Sequence, residues 1–308
     1  MFPDYKAGGE VPIKQAFRDF CRVHAHLTLE QSIEYFSVIG GMEVAIDFDF
    51  FDDLFAMVKR CFVDDFSLFE SYLSPSYIVE HPYSRLLSIA ARGDGKCHSV
   101  LRKARLGENS GEEIVKTLVS LGILYLEPTR EAPLRVHPKQ KLKKALRTYR
   151  IQDKLRFTTP FMRFWFGFVA PYRHDLLEGR GDAFMKNFEA HYERLRSLVY
   201  EQLCNEMFSQ YCMETTPLLS SGSYWDRHNE FDLLAVTSEK KVILGECKYK
   251  ERKVCKSELS KLKAKAEKSG IPVDTYVLFS KNGFSNELLQ MRDAHLLLFD
   301  LDDLRRLL

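Results

Sequence analysis

The chain lacks the markers that define several large protein classes. No apolar run reaches the roughly 20 residues needed to span a bilayer. The opening Met1-Phe2-Pro3-Asp4-Tyr5-Lys6 is not a signal peptide. Seven cysteines are scattered over 308 residues with no CxxC pair. That argues against a disulfide framework and leads us to expect the reduced thiols of a cytoplasmic protein. Nine histidines do not cluster either; His24-Ala25-His26 has no partner at zinc spacing and is expected at the surface. No phosphate-cradling loop appears. Gly93-Asp94-Gly95-Lys96 has Ala90 where such a loop needs glycine and Cys97 where it needs Ser or Thr. Charge is nearly balanced, with 45 Lys and Arg against 43 Asp and Glu.

That balance hides an uneven distribution. Asp47, Asp49, Asp52, Asp53, Asp64, Asp65 and Glu70 make an early acidic region, whereas Lys139, Lys141, Lys143, Lys144, Arg147, Arg150, Lys154 and Arg156 make a basic middle segment. Such a segment either attracts a phosphate backbone or forms a solvated face, and charge alone does not choose between them. Hydrophobic residues at 45% and charged residues at 29% fit a globular chain with room for several cores.

Helical spacing dominates from residue 11 to about 73, with Phe17, Phe20, Val23 and Leu27, then Leu54, Met57, Val58, Cys61 and Phe62. From Tyr83 the pattern changes to three short helices, the third opening on Ser110-Gly111-Glu112-Glu113, which reads as a capping box. A hairpin of Ile123–Leu126 and Leu134–His137 then completes the order of a winged helix, a fold that places its third helix in the DNA major groove or serves as a protein-contact module. Glu112 and Glu113 suit phosphate poorly, so Lys96, Arg102, Lys103 and Arg105 on the preceding helix are the better candidates. Phe161, Phe164, Trp165 and Phe168 form an aromatic stripe, expected to be core or a packing surface. A long amphipathic helix over 184–208 follows.

The last third alternates strand and helix, and one pair of strands carries chemistry. Asn229–Val236 and Val242–Tyr249 flank the polar turn Thr237-Ser238-Glu239-Lys240-Lys241. A turn centred on Glu239 sets Asp232 opposite Glu246, at a Cβ separation of about 5 Å. Period-2 alternation puts Lys248 beside Glu246. Two carboxylates and an ammonium on one face can hold a divalent metal and act on a phosphate; equally, they can form a plain cross-strand ion network.

This order resembles the PD-(D/E)xK nuclease superfamily, through Glu201 on the first helix, Asp232 on the second strand and Glu246-Cys247-Lys248 on the third. Together with Tyr149-Arg150-Ile151-Gln152-Asp153, Phe161-Met162-Arg163-Phe164-Trp165-Phe166 and the Gly40-Gly41-Met42 break, it is similar to the region of unknown function that follows the winged helix in archaeal-type AAA ATPases. The ATPase core has no counterpart in this sequence, and Lys154–Thr159 are extra residues relative to those proteins.

The resemblance implies a multidomain α and α/β chain: a helical lid-like region (1–79), a winged helix-turn-helix (80–148), an aromatic helical linker (149–190) and a mixed-sheet, restriction-endonuclease-like α/β domain (191–308). It implies Mg²⁺ or Mn²⁺ held by Asp232, Glu246, the Cys247 carbonyl and Glu201, with Lys248 acting on the nucleophile or the phosphate. Lys261, Lys263, Lys103, Arg105, Lys143 and Lys144 are the candidate nucleic-acid contacts, and Tyr224 and Trp225 are candidate groove residues. A DNA endonuclease is one expectation. A non-catalytic DNA-binding or regulatory protein, partnering a separately encoded ATPase, is the other. A homodimer is an open possibility for which the aromatic stripe could supply a face; a membrane partner is not expected.

Overall fold

The computed structural model describes residues 13–42, 46–135, 137 and 139–308. Two compact units emerge, one of residues 1–128 and 153–196, the other of residues 129–152 and 197–308. The architecture is mixed α/β, with a helical N-terminal region and a mixed sheet near the C-terminus.

The first unit begins with helices α1 (Ile13–Val23), α2 (Leu29–Ile39), α3 (Leu54–Lys59) and α4 (Phe66–Ser71). Thr28 starts α2 with a capping box: its hydroxyl accepts from Gln31 N–H, and the Gln31 side chain accepts from Thr28 N–H. Next come α5 (Tyr83–Arg92), α6 (Cys97–Ala104) and α7 (Glu108–Ser120). The capping box expected at Ser110 is not what starts α7. The helix begins three residues earlier behind Gly107, and the Ser110 hydroxyl donates to Gly107 O. Gly122 ends it: at φ +66 it lets Gly122 N–H reach Val119 O and Ile123 N–H reach Leu118 O.

Strand β1 (Leu124–Glu127) follows, but its partner is not the stretch at 134–137. Strand β2 (Lys154–Phe157) pairs with it antiparallel, Leu124 opposite Phe157. The residues read from sequence as an insertion are therefore this second strand and the Thr159 cap of the next helix. A local periodicity search pairs neighbours, and here a 26-residue excursion (128–153) separates the partners. Leu155 N–H donates to Gly95 O, and a side chain at Gly95 (φ +77) would strike the Leu155 carbonyl at 2.7 Å.

Helix α8 (Pro160–Phe164) runs into a π-helical turn, Trp165–Val169, in which every residue is buried. Phe66 stacks on Trp165 with ring centroids 5.7 Å apart, and Phe62 meets Phe164 edge-on at 4.8 Å. The aromatic stripe is thus the interior of this unit on all sides and offers no dimer face. After α9 (Arg173–Leu177), the long helix expected over 184–208 is two: α10 (Asp182–His191) and α11 (Glu193–Thr215). Between them Leu195 N–H donates to Tyr192 O, a tightened turn.

The second unit holds a five-stranded sheet. Its strands are β3 (Leu218–Ser220), β6 (Leu233–Thr237), β7 (Val242–Lys248), β8 (Thr275–Ser280) and β9 (Leu296–Asp300), side by side in that order. A small hairpin, β4 (Tyr224–Trp225) with β5 (Glu230–Phe231), precedes β6. β3–β6 and β6–β7 are antiparallel, β7–β8 and β8–β9 parallel. Helices α12 (Lys256–Ser269) and α13 (Asn286–Gln290) supply the crossovers that parallel pairing requires. Leu259, Leu262 and Ala266 of α12 pack with Leu234, Leu244 and Leu278 on one face of the sheet. Phe208 of α11 meets Phe279 and Phe299, whose odd positions point to the other face. Among the described residues no helix is long and apolar enough to cross a membrane.

Candidate active site

The register of the central hairpin is the one its turn dictates. Leu233 lies opposite Gly245 and Val236 opposite Val242, so the series places Asp232 opposite Glu246. The strand is nevertheless broken at Asp232. Glu230–Phe231 pairs with β4, Leu233–Thr237 joins the main sheet, and Asp232 is the bend between. Its backbone carbonyl leaves the ladder and accepts from Asn205 Nδ2 of α11 at 2.9 Å. Its carboxylate Oδ2 accepts from the backbone N–H of Cys247 at 2.7 Å.

Around Asp232 the sheet face toward α12 collects charge. Glu246 is only 13% exposed and Lys248 19%, and Lys248 Nζ donates to Glu246 Oε1 at 2.6 Å. A second ammonium arrives from α12: Lys265 Nζ donates to Glu246 Oε2 at 2.9 Å and to Oε1 at 3.1 Å. Burial and the facing Glu246 carboxylate push the Asp232 carboxyl up to about 7, against the opposing pull of the Cys247 N–H, Lys248 and Lys265. Burial draws the Lys248 ammonium down, but Glu246 outweighs it and holds Lys248 above the ordinary lysine value. On the opposite face Cys247 is buried with Cys204 and Tyr200, and burial pushes its thiol well up, so it behaves as packing rather than as a nucleophile.

The sequence candidates divide. Asp232, Glu246 and Lys248 come together, with Cys247 between the carboxylates. Glu201 lies on α11, which packs on the other face, and its link to Asp232 runs through Asn205: Asn205 Nδ2 donates to Glu201 O at 2.8 Å as well as to Asp232 O. Among the described residues no three His, Cys, Asp or Glu side chains converge to hold a metal. Lys261 pairs instead with Glu258 at 2.9 Å, and Lys263 lies over the Tyr276 ring at 5.4 Å. Lys265, one turn beyond Lys261 on the same helix, is the residue that the sequence reading missed. Lys103 and Arg105 are exposed in the first unit, Lys143 and Lys144 exposed in the second. Trp225 is buried rather than lining a groove, its indole N–H donating to Gln152 O at 2.9 Å.

Chemically, Asp232 and Glu246 offer hard oxygen donors that face each other and repel, an arrangement that either a proton or a cation relieves. Mg²⁺ is typically bound through one or two carboxylates and keeps several waters, so this donor set fits Mg²⁺ or Mn²⁺ without a third carboxylate. The two lysines add an ammonium pair suited to a phosphate.

Residues 165–265 are similar to DUF234, archaea bacterial proteins of unknown function. The DUF234-like segment takes in Glu201, Asp232, Glu246 and Lys248 and ends at Lys265, covering about a third of the chain. Neither the curated proteins nor the solved structures give a match.

Lys265 makes an ionic contact that Lys261 does not share. Lys265→Met is expected to lower stability by about 1 kcal/mol, a figure discounted because its side chain is 35% exposed. Lys261→Met is expected to change it by less than about 0.5 kcal/mol. Urea unfolding of both variants checks this, and equal losses would show that Lys265 has no special place.

Proposed function

We propose that the chain is a Mg²⁺- or Mn²⁺-dependent DNA endonuclease, with Asp232, Glu246 and Lys248 as its catalytic centre on a PD-(D/E)xK-like core. The observation that carries this reading is the pair of opposed, desolvated carboxylates flanked by two lysines on the face of one hairpin. Bound between Asp232 and Glu246, the metal would supply the Lewis acidity that makes a water nucleophilic near neutral pH. Lys248 and Lys265 would hold the phosphate oxygens as negative charge builds on them. Cys247 N–H fixes the Asp232 carboxylate, and Asn205 fixes the backbone that carries it. In the first unit α5, α6 and α7 followed by the β1–β2 pair keep the element order of a winged helix. Lys103 and Arg105 are its exposed cations for duplex backbone; Lys116 of α7 is engaged with Glu113 at 2.7 Å.

A second reading has its own observation. Among the described residues no third acidic side chain joins the pair, and both Glu246 oxygens are occupied by ammonium groups. That favours a nuclease-like fold retained for DNA binding or for regulating a separately encoded ATPase.

The deciding experiment is cleavage of labelled linear, branched and single-stranded DNAs in Mg²⁺ or Mn²⁺ by the wild type, Asp232→Ala and Lys248→Ala. Metal-dependent cutting by the wild type, with loss of at least about 100-fold in each variant, is the expected result. No cutting by any of the three, with DNA binding intact, would sink the hydrolytic reading and leave the second.

A further inference from the structure

A long run of charges of one sign lies between β1 and β2. From Ala132 to Gln152 there is no Asp or Glu, while Lys139, Lys141, Lys143, Lys144, Arg147 and Arg150 are all exposed. Among its described residues the only regular structure is a single 3₁₀ turn at Lys144–Leu146.

Although the chain up to Pro128 and again from Asp153 belongs to the first unit, residues 129–152 belong to the second. Both of its ends are fastened there, to Leu234 and to the segment of residues 222–225 that leads to Asp232. At the entry, Arg130 donates to the carbonyls of Leu234 (2.9 Å), Gly222 (2.6 Å) and Ser223 (2.5 Å). At the exit, the Tyr149 hydroxyl donates to Glu131 Oε2 at 2.6 Å, and Gln152 O accepts from the Trp225 indole. Trp225 belongs to the β4–β5 hairpin, whose last residue, Phe231, precedes Asp232. The same hairpin is tied to the site lysine: Asn229 Nδ2 donates to Lys265 O at 3.2 Å and Lys265 Nζ to Glu230 O at 3.4 Å.

We propose that residues 132–152 are a phosphate-tracking arm of the second unit, which holds a nucleic-acid backbone beside Asp232 and Glu246. This rests on the phosphodiester reading of that site and names the element that holds its substrate. A run of cations with no interspersed acid complements a polymer of uniform negative charge. An acidic protein would bring mixed charges and apolar groups, and a membrane-docking segment would need exposed apolar side chains. Here, among the described residues, Leu134, Leu142 and Leu146 are all half-buried, and the exposed charged side chains are all cationic.

The test is fluorescence anisotropy of labelled duplex and single-stranded DNA in EDTA, from 50 to 300 mM salt, with the full chain and a Lys139→Gln, Lys141→Gln, Lys143→Gln, Lys144→Gln variant. If each lysine meets a phosphate, the slope of log K against log salt should fall by about 3.6 on duplex and about 2.8 on single strands. Affinity at 100 mM salt should drop at least about 10-fold. Two pair variants, K139Q/K141Q and K143Q/K144Q, should each give about half the change in slope, so the result stands even if the quadruple variant folds poorly. Unchanged slopes in the pair variants would overturn the proposal. So would displacement of the DNA by polyglutamate or by anionic phosphatidylserine vesicles at equal charge concentration, which would make the patch a generic polyanion or membrane contact. Cleavage by the wild type in Mg²⁺ with unchanged slopes would sink the arm alone. Lost slopes without cleavage would sink the hydrolytic reading alone.

Discussion

Asp232→Asn is expected to make the protein more stable above neutral pH and to abolish the cleavage proposed above. The Asp232 carboxyl titrates at about 7 in the folded protein against an ordinary value of 3.8. Between those two values the folded state keeps a proton that the unfolded chain has already lost. Stability from this group is therefore fully present below about 4, declines as pH rises to about 7, and is lost above it. A displacement of about 3 pH units corresponds to at most about 4 kcal/mol, and partial exposure of the side chain trims this to about 2–3 kcal/mol. Asparagine keeps an oxygen to accept from Cys247 N–H and cannot ionise. In EDTA at pH 8 the Asn variant should melt several degrees above the wild type, about 5 °C; at pH 4.5 the two should nearly coincide.

Adding Mg²⁺ at pH 8 provides a readout independent of turnover. A ligand at 100 times its Kd stabilises by about 2.7 kcal/mol, so the wild type should recover most of the gap and the variant should gain little. Cleavage, if the hydrolytic reading is right, should fall by about 1000-fold. Equal melting temperatures at pH 8, or a wild type indifferent to Mg²⁺, would mean that Asp232 and Glu246 are already neutralised by Lys248 and Lys265 and that the site is an ion network.

What the sequence made legible was what depends on short range. The turn at 237–241 determines the hairpin register, and period-2 alternation then puts Glu246 and Lys248 on one face; both rules act over a few residues. The mixed α/β class followed from the alternation of apolar runs with a Lys-rich helix. The unread features are long-range. β1 could not be matched to β2 because a local search pairs it with whatever follows. The break at Asp232 depends on Asn205, 27 positions away. Lys265 was passed over for Lys261 and Lys263 because helix composition does not reveal which face meets the sheet; Leu259, Leu262 and Ala266 do, once known to be buried. The aromatic stripe read as one face is enclosed all round, since a π-turn at Trp165–Val169 shifts the phase of the helix.

The excursion between β1 and β2 leads to the second large expectation, at Arg130. Its guanidinium donates to three backbone carbonyls around the start of β6, in a partly buried setting. Hydrogen bonds from a charged donor contribute about 1.5–3 kcal/mol each and do not add fully when they share one side chain. Arg130→Ala removes all three at once, and Gly222 O keeps only the Leu234 N–H of the donors seen here. A loss of about 3 kcal/mol in urea unfolding is expected. Lysine keeps the charge but lacks the planar fork that spans separate acceptors, so Arg130→Lys should recover less than half of it. Opening need not be global. The residues that Arg130 secures are rich in tryptic sites, and a locally released segment is cut in proportion to its open population. Trypsin should therefore cleave the Ala variant within 135–150 at least about 10-fold faster than the wild type, while sites in α12 remain protected. Uniform acceleration at both places would show that Arg130 supports the whole unit rather than the attachment of this segment. A confined effect would fix residues 132–152 as a strap fastened to the sheet beside Asp232, and would account for a chain that leaves one unit only to return to it.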